Sequence, residues 1–316
     1  MSDTTIFYAS DIHGSDRCFR KFLNAAKFYG ANVLVMGGDI LGKAVVFLEE
    51  IRSGVYAAQQ HGRRVELSGE PALEEFERQA RDAGLYPYRC RVGEPAQLQE
   101  SGEVERLMER LMYERLAAWM SLADERLAGS GVRCYMMGGN DDPPPVLEAL
   151  RASRVVVDPD GTVMRLDEES ELLSLGWSNP TPWHTPRECS EEELGRRIDT
   201  LMAQVARPEA AVMNIHVPPY ASGLDDAPEL DATLRVQSSL GQTRFAPVGS
   251  TAVRAAIERY QPLLGLFGHV HEAHASVRIG RTLCINPGSD FAEGVLHGAL
   301  VRLSKGKLKS HQMTSG

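Results

Sequence analysis

Five apolar segments of this 316-residue chain each end in an aspartate, an asparagine or a histidine, and glycine stands beside most of them. The segments are short and rich in β-branched residues, which predicts buried strands. Because ligands of α/β sheets bind outside the carboxyl ends of the strands, the pattern predicts one shared site. The segments are residues 5–10, 33–36, 132–137, 211–215 and 263–267, and they run into Asp11-Ile12-His13, Gly38-Asp39, Gly139-Asn140-Asp141, His216 and Gly268-His269-Val270-His271, respectively.

Each of these motifs has an ordinary structural explanation when it is taken alone. A strand-ending Asp or Asn commonly caps the next helix, and a His on an apolar strand is commonly a hydrogen-bonded core residue. Together they place several imidazoles, carboxylates and a carboxamide at one sheet edge. Burying so many polar groups without partners would cost several kcal/mol. Because metal ions would take up the lone pairs, the set predicts a metal site.

The types of ligand constrain the metal. Imidazole and carboxylate donors without a thiolate suit Mn²⁺, iron, Zn²⁺ or Co²⁺. All-oxygen sites for Mg²⁺ or Ca²⁺ are disfavoured. Asp39 lies in the middle of the series, and its two oxygens can bridge two ions about 3.5–4 Å apart. We therefore expect two divalent ions as cofactors, with Mn²⁺ favoured for activity.

The remaining apolar pattern predicts further strands and helices around this edge. Strand, helix and strand within residues 5–36 form a βαβ unit. The other predicted elements are strands at residues 172–175, 282–285 and 299–303 and helices at residues 17–29, 187–205 and 252–260.

Residues 42–131 interrupt this rhythm and are predicted to form a mixed α/β insertion. Helix 103–127 carries an apolar stripe that includes Met108, Met112 and Trp119. Packing of this stripe on the protein's own core is favoured over a partner surface. Strands are expected at residues 45–48, 55–58 and 62–67, and helices at residues 70–83 and 103–127.

The ordered motifs resemble those of the calcineurin-like metallophosphoesterase superfamily: DxH, GD, GN followed by H or D, a single His, and GHxH. Asn286-Pro287-Gly288-Ser289 is similar to a further strand-end motif of that family. The resemblance implies a four-layer αββα sandwich of two mixed sheets. It also implies one metallophosphoesterase domain over residues 1–316, with residues 42–131 as an insertion or cap.

The resemblance also implies roles for single residues. Asp11, His13 and His271 would hold one metal ion. Asn140, His216 and His269 would hold the other. Asp39 would bridge both ions, together with a hydroxide that attacks phosphorus. These roles describe a binuclear metal-dependent phosphoesterase.

The chain departs from the family at Asp141, where many members have a histidine that donates to the phosphate or to the leaving group. A carboxylate repels a phosphate dianion, which favours a phosphodiester over a phosphomonoester as substrate. The proline- and tryptophan-rich segment 176–186 offers His184 as a substitute acid and Trp183 as a stacking surface; alternatively, its tryptophans merely cover the sheet. The candidate catalytic residues are Asp39, Asn140, Asp141 and His184.

Composition limits the classes of partner that this chain is expected to bind. The formal net charge of −9 disfavours nucleic acid, which a basic face would bind. Five scattered cysteines without a CxxC pair indicate reduced thiols and a cytoplasmic location. The lack of an apolar run of about 18 residues argues against a membrane partner. We expect a small phosphoester substrate and, through the insertion, homo-oligomerisation. The alternative is a catalytically silent metal-binding scaffold of the same fold.

Overall fold

Two mixed sheets lie face to face in the computed structural model, which describes residues 3–60, 62–231, 233–239 and 241–316. The helices are α1 (Asp16–Tyr29), α2 (Glu70–Asp82), α3 (Glu94–Ser101), α4 (Val104–Leu127), α5 (Pro144–Leu147), α6 (Glu191–Met202) and α7 (Thr251–Tyr260), with 3₁₀ turns at Glu148–Ala152, Pro208–Ala210 and Phe291–Glu293. The strands are β1 (Thr4–Ala9), β2 (Val33–Met36), β3 (Val45–Arg52), β4 (Val55–Gln60), β5 (Arg63–Ser68), β6 (Tyr86–Arg91), β7 (Arg133–Met136), β8 (Val156–Val157), β9 (Thr162–Arg165), β10 (Glu171–Leu175), β11 (Val212–Ile215), β12 (Asp226–Pro228), β13 (Ser238–Ser239), β14 (Gln242–Thr243), β15 (Phe245–Pro247), β16 (Leu264–Leu266), β17 (Ala275–Ile279), β18 (Thr282–Asn286), β19 (His297–Ser304) and β20 (Lys307–Ser315).

The order of the strands explains how distant motifs meet. The first sheet has the order β20-β19-β1-β2-β7-β8, in which β1, β2, β7 and β8 are parallel. The second sheet has the order β17-β18-β16-β11-β10-β9, in which β18, β16, β11 and β10 are parallel. Five of the strands predicted from the sequence therefore end at the carboxyl edges of these two parallel sets.

Alternation along the first sheet divides its side chains between two cores. Ile6 and Tyr8 of β1 face the second sheet and lie in the core between the sheets. Phe7 and Ala9 face the other way and pack in the core that includes α1 and α4. This split follows from the period of two along a strand.

The second sheet is covered in the same way. Leu173 and Met213 lie on its outer face, where they pack with Leu194 of α6 and Ile257 of α7. The layers are therefore helix, sheet, sheet and helix, so the predicted αββα sandwich is confirmed.

The segment 42–131 contributes to two different cores. Strands β5, β4, β3 and β6 form a separate four-stranded sheet, against which Leu73 and Phe76 of α2 pack. Helix α4, in contrast, belongs to the main core, where Trp119 stacks on Phe19 with ring centroids 4.3 Å apart. The apolar stripe of this helix thus packs on the protein's own core, as expected. The boundaries of the insertion stay a prediction.

One predicted helix start is wrong. The sequence pattern places it at Arg187, but α6 begins at Glu191 because Ser190 caps it by accepting a hydrogen bond from the amide of Glu193. Arg187 is instead buried, and its guanidinium donates to the carbonyl of Gly139 at 3.1 Å. Within the described residues, no helix has both the length and the apolar composition needed to cross a membrane.

Candidate metal centre

The strand-end residues of both sheets converge on one site. Asp11, His13, Asp39 and Asn140 follow strands of the first sheet, whereas His216, His269 and His271 follow strands of the second. Among the described residues, three groups have ligand atoms within 4.8 Å of one another: Asp11, His13 and His271; Asp39, His216 and His269; and His13, Asp39 and Asp141.

The first group is closely spaced around the imidazoles. His13 Nε2 lies 3.0 Å from His271 Nε2, and His271 Nε2 lies 3.6 Å from Asp11 Oδ1. Asp11 also accepts hydrogen bonds of 3.0 Å from the amide of His269 at both carboxylate oxygens. The Asp11 carboxylate is therefore held in place from the second sheet.

Asp39 lies between the first group and the second. Its Oδ2 is 3.8 Å from His13 Nε2, and its Oδ1 is 3.3 Å from His216 Nε2. Asn140 Oδ1 lies 2.7 Å from Nδ1 of His269, which belongs to the second group. Asp39 thus has the position expected of a bridging carboxylate, although the bridging role itself stays a prediction.

Backbone carbonyls orient two of the imidazoles. His216 Nδ1 lies 3.0 Å from the carbonyl of Gly37, and His13 Nδ1 lies 3.4 Å from the carbonyl of Leu41. Because a carbonyl only accepts, each Nδ1 carries a proton, which leaves each Nε2 as the atom that would face a metal ion. His216 Nε2 is buried and has no hydrogen-bond partner among the described residues. A divalent cation would satisfy this atom, so the donor set fits a metal.

The backbone of the site is strained. Asp11, His13, Asp39 and His269 have φ angles of 56°, 38°, 49° and 68°. Residues other than glycine rarely adopt this left-handed region, because it costs them about 1–2 kcal/mol each. Such outliers cluster at functional sites, where the surrounding structure holds them in place.

Glycine lets these loops approach each other. A Cβ at Gly268 would overlap Asp11 Oδ2 and Ser10 Oγ, and a Cβ at Gly139 would overlap Asp39 Oδ1. Both glycines are therefore required for the close approach of the ligand-bearing turns.

Burial and charge act in opposite directions on the pKa values of the ligands. Burial lowers the pKa of His13 to about 3 and that of His269 to about 4, so both imidazoles are neutral near pH 7. Burial also lowers the pKa of His216, but the carboxylates of Asp39 and Asp11 outweigh it and raise the value to about 9. A bound cation competes with this proton.

Two residues that the sequence interpretation did not single out organise the site. Lys43 forms an ion pair with Asp141. Asp142 is fully buried and accepts hydrogen bonds from the amides of Gly139, Ile40 and Leu41 at 2.7, 3.0 and 2.9 Å. Asp142 thus joins the turn after β2 to the turn after β7. A second Asp directly after Asp141 was the available signal.

Sequence comparison gives one distant relative. No family model matches the chain. It is similar to the uncharacterized protein MJ1162 of Methanocaldococcus jannaschii, with 26% identity over 151 residues. These residues are 47% of this chain and 61% of that protein, so the match spans less than two thirds of the relative's length.

Solved structures align over nearly the whole chain. TT1561 of Thermus thermophilus aligns with 100% of this chain and 99% of its own, at 14% identity and a TM-score of 0.53. A dimetal phosphatase from Danio rerio aligns over 98% of each chain, at 9% identity and a TM-score of 0.41. The chain shares the fold of TT1561. The resemblance drawn from the ordered motifs is therefore confirmed at the level of the fold.

Segment 176–186 borders the candidate metal centre. Thr185 accepts a hydrogen bond of 2.9 Å from Asn140 Nδ2, while His184 is exposed and has a φ of 52°. The two tryptophans of the segment differ. Trp177 is half-buried, with the guanidinium of Arg197 4.1 Å from its ring centroid, whereas Trp183 is 61% exposed.

Proposed function

We propose that this protein is a binuclear metal-dependent phosphoesterase and that its substrate is a small phosphodiester. The observation that carries the proposal is the buried Nε2 of His216, which lacks a hydrogen-bond partner among the described residues and lies 3.3 Å from Asp39. An unpartnered nitrogen beside a carboxylate, within a set of further strand-end donors, is the arrangement that a bound cation stabilises.

The residues divide between two metal positions as the resemblance implies. Asp11, His13 and His271 would hold one ion. Asn140, His216 and His269 would hold the other, and Asp39 would contact both. Two bound divalent ions, Mn²⁺, iron, Zn²⁺ or Co²⁺, would neutralise phosphate charge and make water more acidic.

The charge at Asp141 favours a diester. Its carboxylate stands where many family members have a histidine, and it repels a dianion more strongly than a monoanion. The ion pair with Lys43 offsets part of this repulsion. A diester, which carries one negative charge, meets the least opposition at this position. His184, exposed and adjacent to Thr185, is the side chain that we propose as proton donor to the leaving group.

The competing function is a silent metal-binding scaffold. Scaffold-type relatives tend to lose metal ligands, whereas all seven predicted ligands are present in this chain, and the structure brings them together. The complete set supports the enzyme.

The test is hydrolysis of bis(p-nitrophenyl) phosphate and p-nitrophenyl phosphate by metal-stripped protein refilled with Mn²⁺. We expect Mn²⁺-dependent turnover that is faster on the diester. Asp39→Asn should abolish this turnover, because the variant loses the negative charge of the carboxylate whose two oxygens face His13 and His216. Wild-type turnover in Asp39→Asn would contradict the two-metal assignment. Two bound ions without turnover on either ester would support the scaffold.

The surroundings of the enzyme are also proposed. The five cysteines are free thiols, which supports a cytoplasmic location. The net charge of −9 supports a small-molecule substrate over nucleic acid. The four-stranded sheet of the insertion is our proposed surface for homo-oligomerisation. Sedimentation would contradict this last proposal if the protein stayed monomeric at micromolar concentration.

A further inference from the structure

A cavity of about 180 Å³ lies between helices α1, α2 and α4. Arg20 of α1, Arg81 of α2 and Arg115 of α4 line it, and Asp16 is the carboxylate of its lining. The side chains that line the cavity carry three positive charges and one negative charge, an excess of two, and the carboxylates of Asp82 and Glu77 lie outside this lining. This excess stands out in a chain whose formal net charge is −9.

The three arginines are only loosely paired. Arg20 lies 3.8 Å from both Asp16 and Asp82, Arg81 lies 3.8 Å from Glu77, and Arg115 Nε lies 3.9 Å from Asp16. These separations exceed the 2.7–3.2 Å of a normal N–H···O hydrogen bond. Within the described part of the chain, neither Arg20 nor Arg81 donates a side-chain hydrogen bond.

The nearby carboxylates are engaged by other groups. Asp82 accepts hydrogen bonds of 3.1 Å from Arg17 and 3.0 Å from Arg78. Trp119 Nε1 donates to Asp16 Oδ1 at 2.7 Å. The charge of Asp82 is therefore shared among several arginines, whereas Asp16 keeps its charge in the lining of the cavity.

Arg115 is the least exposed of the three, with 7% of its side chain accessible. Its two Nη groups donate to the carbonyls of Gly14 and Leu85 at 2.7 and 2.8 Å, and its guanidinium lies 4.3 Å from the ring centroid of Tyr86. Carbonyls and a ring face stabilise the cation without neutralising it, and the counter-charge in the lining, Asp16, is 3.9 Å from its Nε. A buried charge is costly unless a counter-charge compensates it, so an anion in the cavity would be stabilised.

We propose that this cavity binds a phosphate group, either free or carried by a small apolar alcohol. Guanidinium groups match phosphate oxygens with paired N–H donors. The volume is below the roughly 300–1,000 Å³ of sites for drug-sized ligands, which limits the occupant to a small anion. Trp119 and Leu122 line the same cavity and provide an apolar wall for a short substituent. None of the residues that line this cavity is a candidate metal ligand, and the proposal does not depend on the proposed activity.

The test is calorimetric titration of the 316-residue chain with inorganic phosphate. The titration uses metal-stripped protein in the Asp39→Asn background, so that no metal ion is available to bind phosphate. We expect saturable binding of about one phosphate per chain. Arg20→Gln and Arg81→Gln should each weaken it several-fold, and the double variant at least tenfold. Arg52→Gln is the matched control, because Arg52 is 70% exposed, pairs with Glu66 and lies outside the cavity lining.

Two results would overturn the proposal. One is the absence of saturable binding in the Asp39→Asn background; the other is wild-type affinity in the double variant. Circular dichroism establishes that each variant is folded, and the single variants carry the test if the double variant is not. Titration with phenyl phosphate then distinguishes the sources of the phosphate group. Tighter binding than inorganic phosphate identifies a monoester as the ligand, and weaker binding identifies free phosphate.

Discussion

Gly139→Ala should disrupt the proposed metal centre through steric overlap alone. A Cβ at this position would overlap Asp39 Oδ1 and would lie 2.5 Å from the Asp39 amide nitrogen and 2.7 Å from His216 Cε1. Neither neighbour is free to move. Asp39 Oδ1 accepts a hydrogen bond of 3.1 Å from the amide of Asp141, and the His216 ring is held by the carbonyl of Gly37.

The expected cost follows from this rigidity. Overpacking a well-packed site costs about 1–3 kcal/mol, and fixed neighbours place Gly139→Ala in the upper half of that range. The displaced atoms belong to Asp39 and His216, so we also expect fewer bound divalent ions per chain than in the wild type. Urea unfolding measures the free energy of unfolding, and elemental analysis of dialysed protein measures the metal content.

Gly195→Ala is the matched control, because the same added methyl group should have the opposite effect there. Gly195 lies inside α6, and its Cβ would contact Ala252 Cβ at an ordinary distance of 3.7 Å. Replacing a helical glycine should stabilise the fold by about 0.5–1 kcal/mol. Wild-type stability and undiminished metal content in Gly139→Ala would refute the reasoning.

Three further predictions concern the surroundings of the ligands. Asp142→Ala leaves three buried amides without their acceptor, and each unpaired group costs about 1–3 kcal/mol. The free energy of unfolding in urea should therefore fall by at least about 3 kcal/mol. A decrease below about 1 kcal/mol would contradict this reasoning. Lys43→Met exposes the substrate to the unpaired carboxylate of Asp141, so kcat/KM for bis(p-nitrophenyl) phosphate should fall several-fold at low salt. The decrease should be smaller at high salt, and a salt-independent change would contradict the electrostatic cause. Trp183→Ala should raise KM for this aromatic diester with little change in kcat, whereas an equal effect on a dialkyl phosphate would argue against stacking.

The strand-end motifs could be predicted because their signals are local. Short apolar runs followed by Gly and Asp, Asn or His mark both the strand and its carboxyl end within a few residues. The four layers followed from the family resemblance. Polar strands left no such signal: β20 (Lys307–Ser315) is mostly exposed, and β6 (Tyr86–Arg91) contains Pro87 and alternating arginines. Both strands form because a neighbouring strand supplies hydrogen bonds, which no local pattern reveals.

The surroundings of the site could not be predicted for a different reason. Lys43 and Asp141 are far apart along the chain and meet only because β2 and β7 are neighbours in the first sheet. The three amides that donate hydrogen bonds to Asp142 come from two separate turns. Arg187 continues an apolar helical pattern, and only its contact with Gly139 shows that it belongs to the site. Such contacts depend on tertiary packing, which the sequence pattern does not specify.

The division of the proposed metal ligands between the two sheets has a mechanical consequence. The sheets otherwise adhere through an apolar core, which resists separation but has no directional bonds. Ions coordinated from both sides would cross-link the two sheets at one end of that interface. At a free metal concentration 100 times the dissociation constant, a single such site adds about 2.7 kcal/mol to the free energy of unfolding. Removal of metal should therefore loosen the sandwich first at this end, and amide hydrogen exchange should report that opening on both sheets at once.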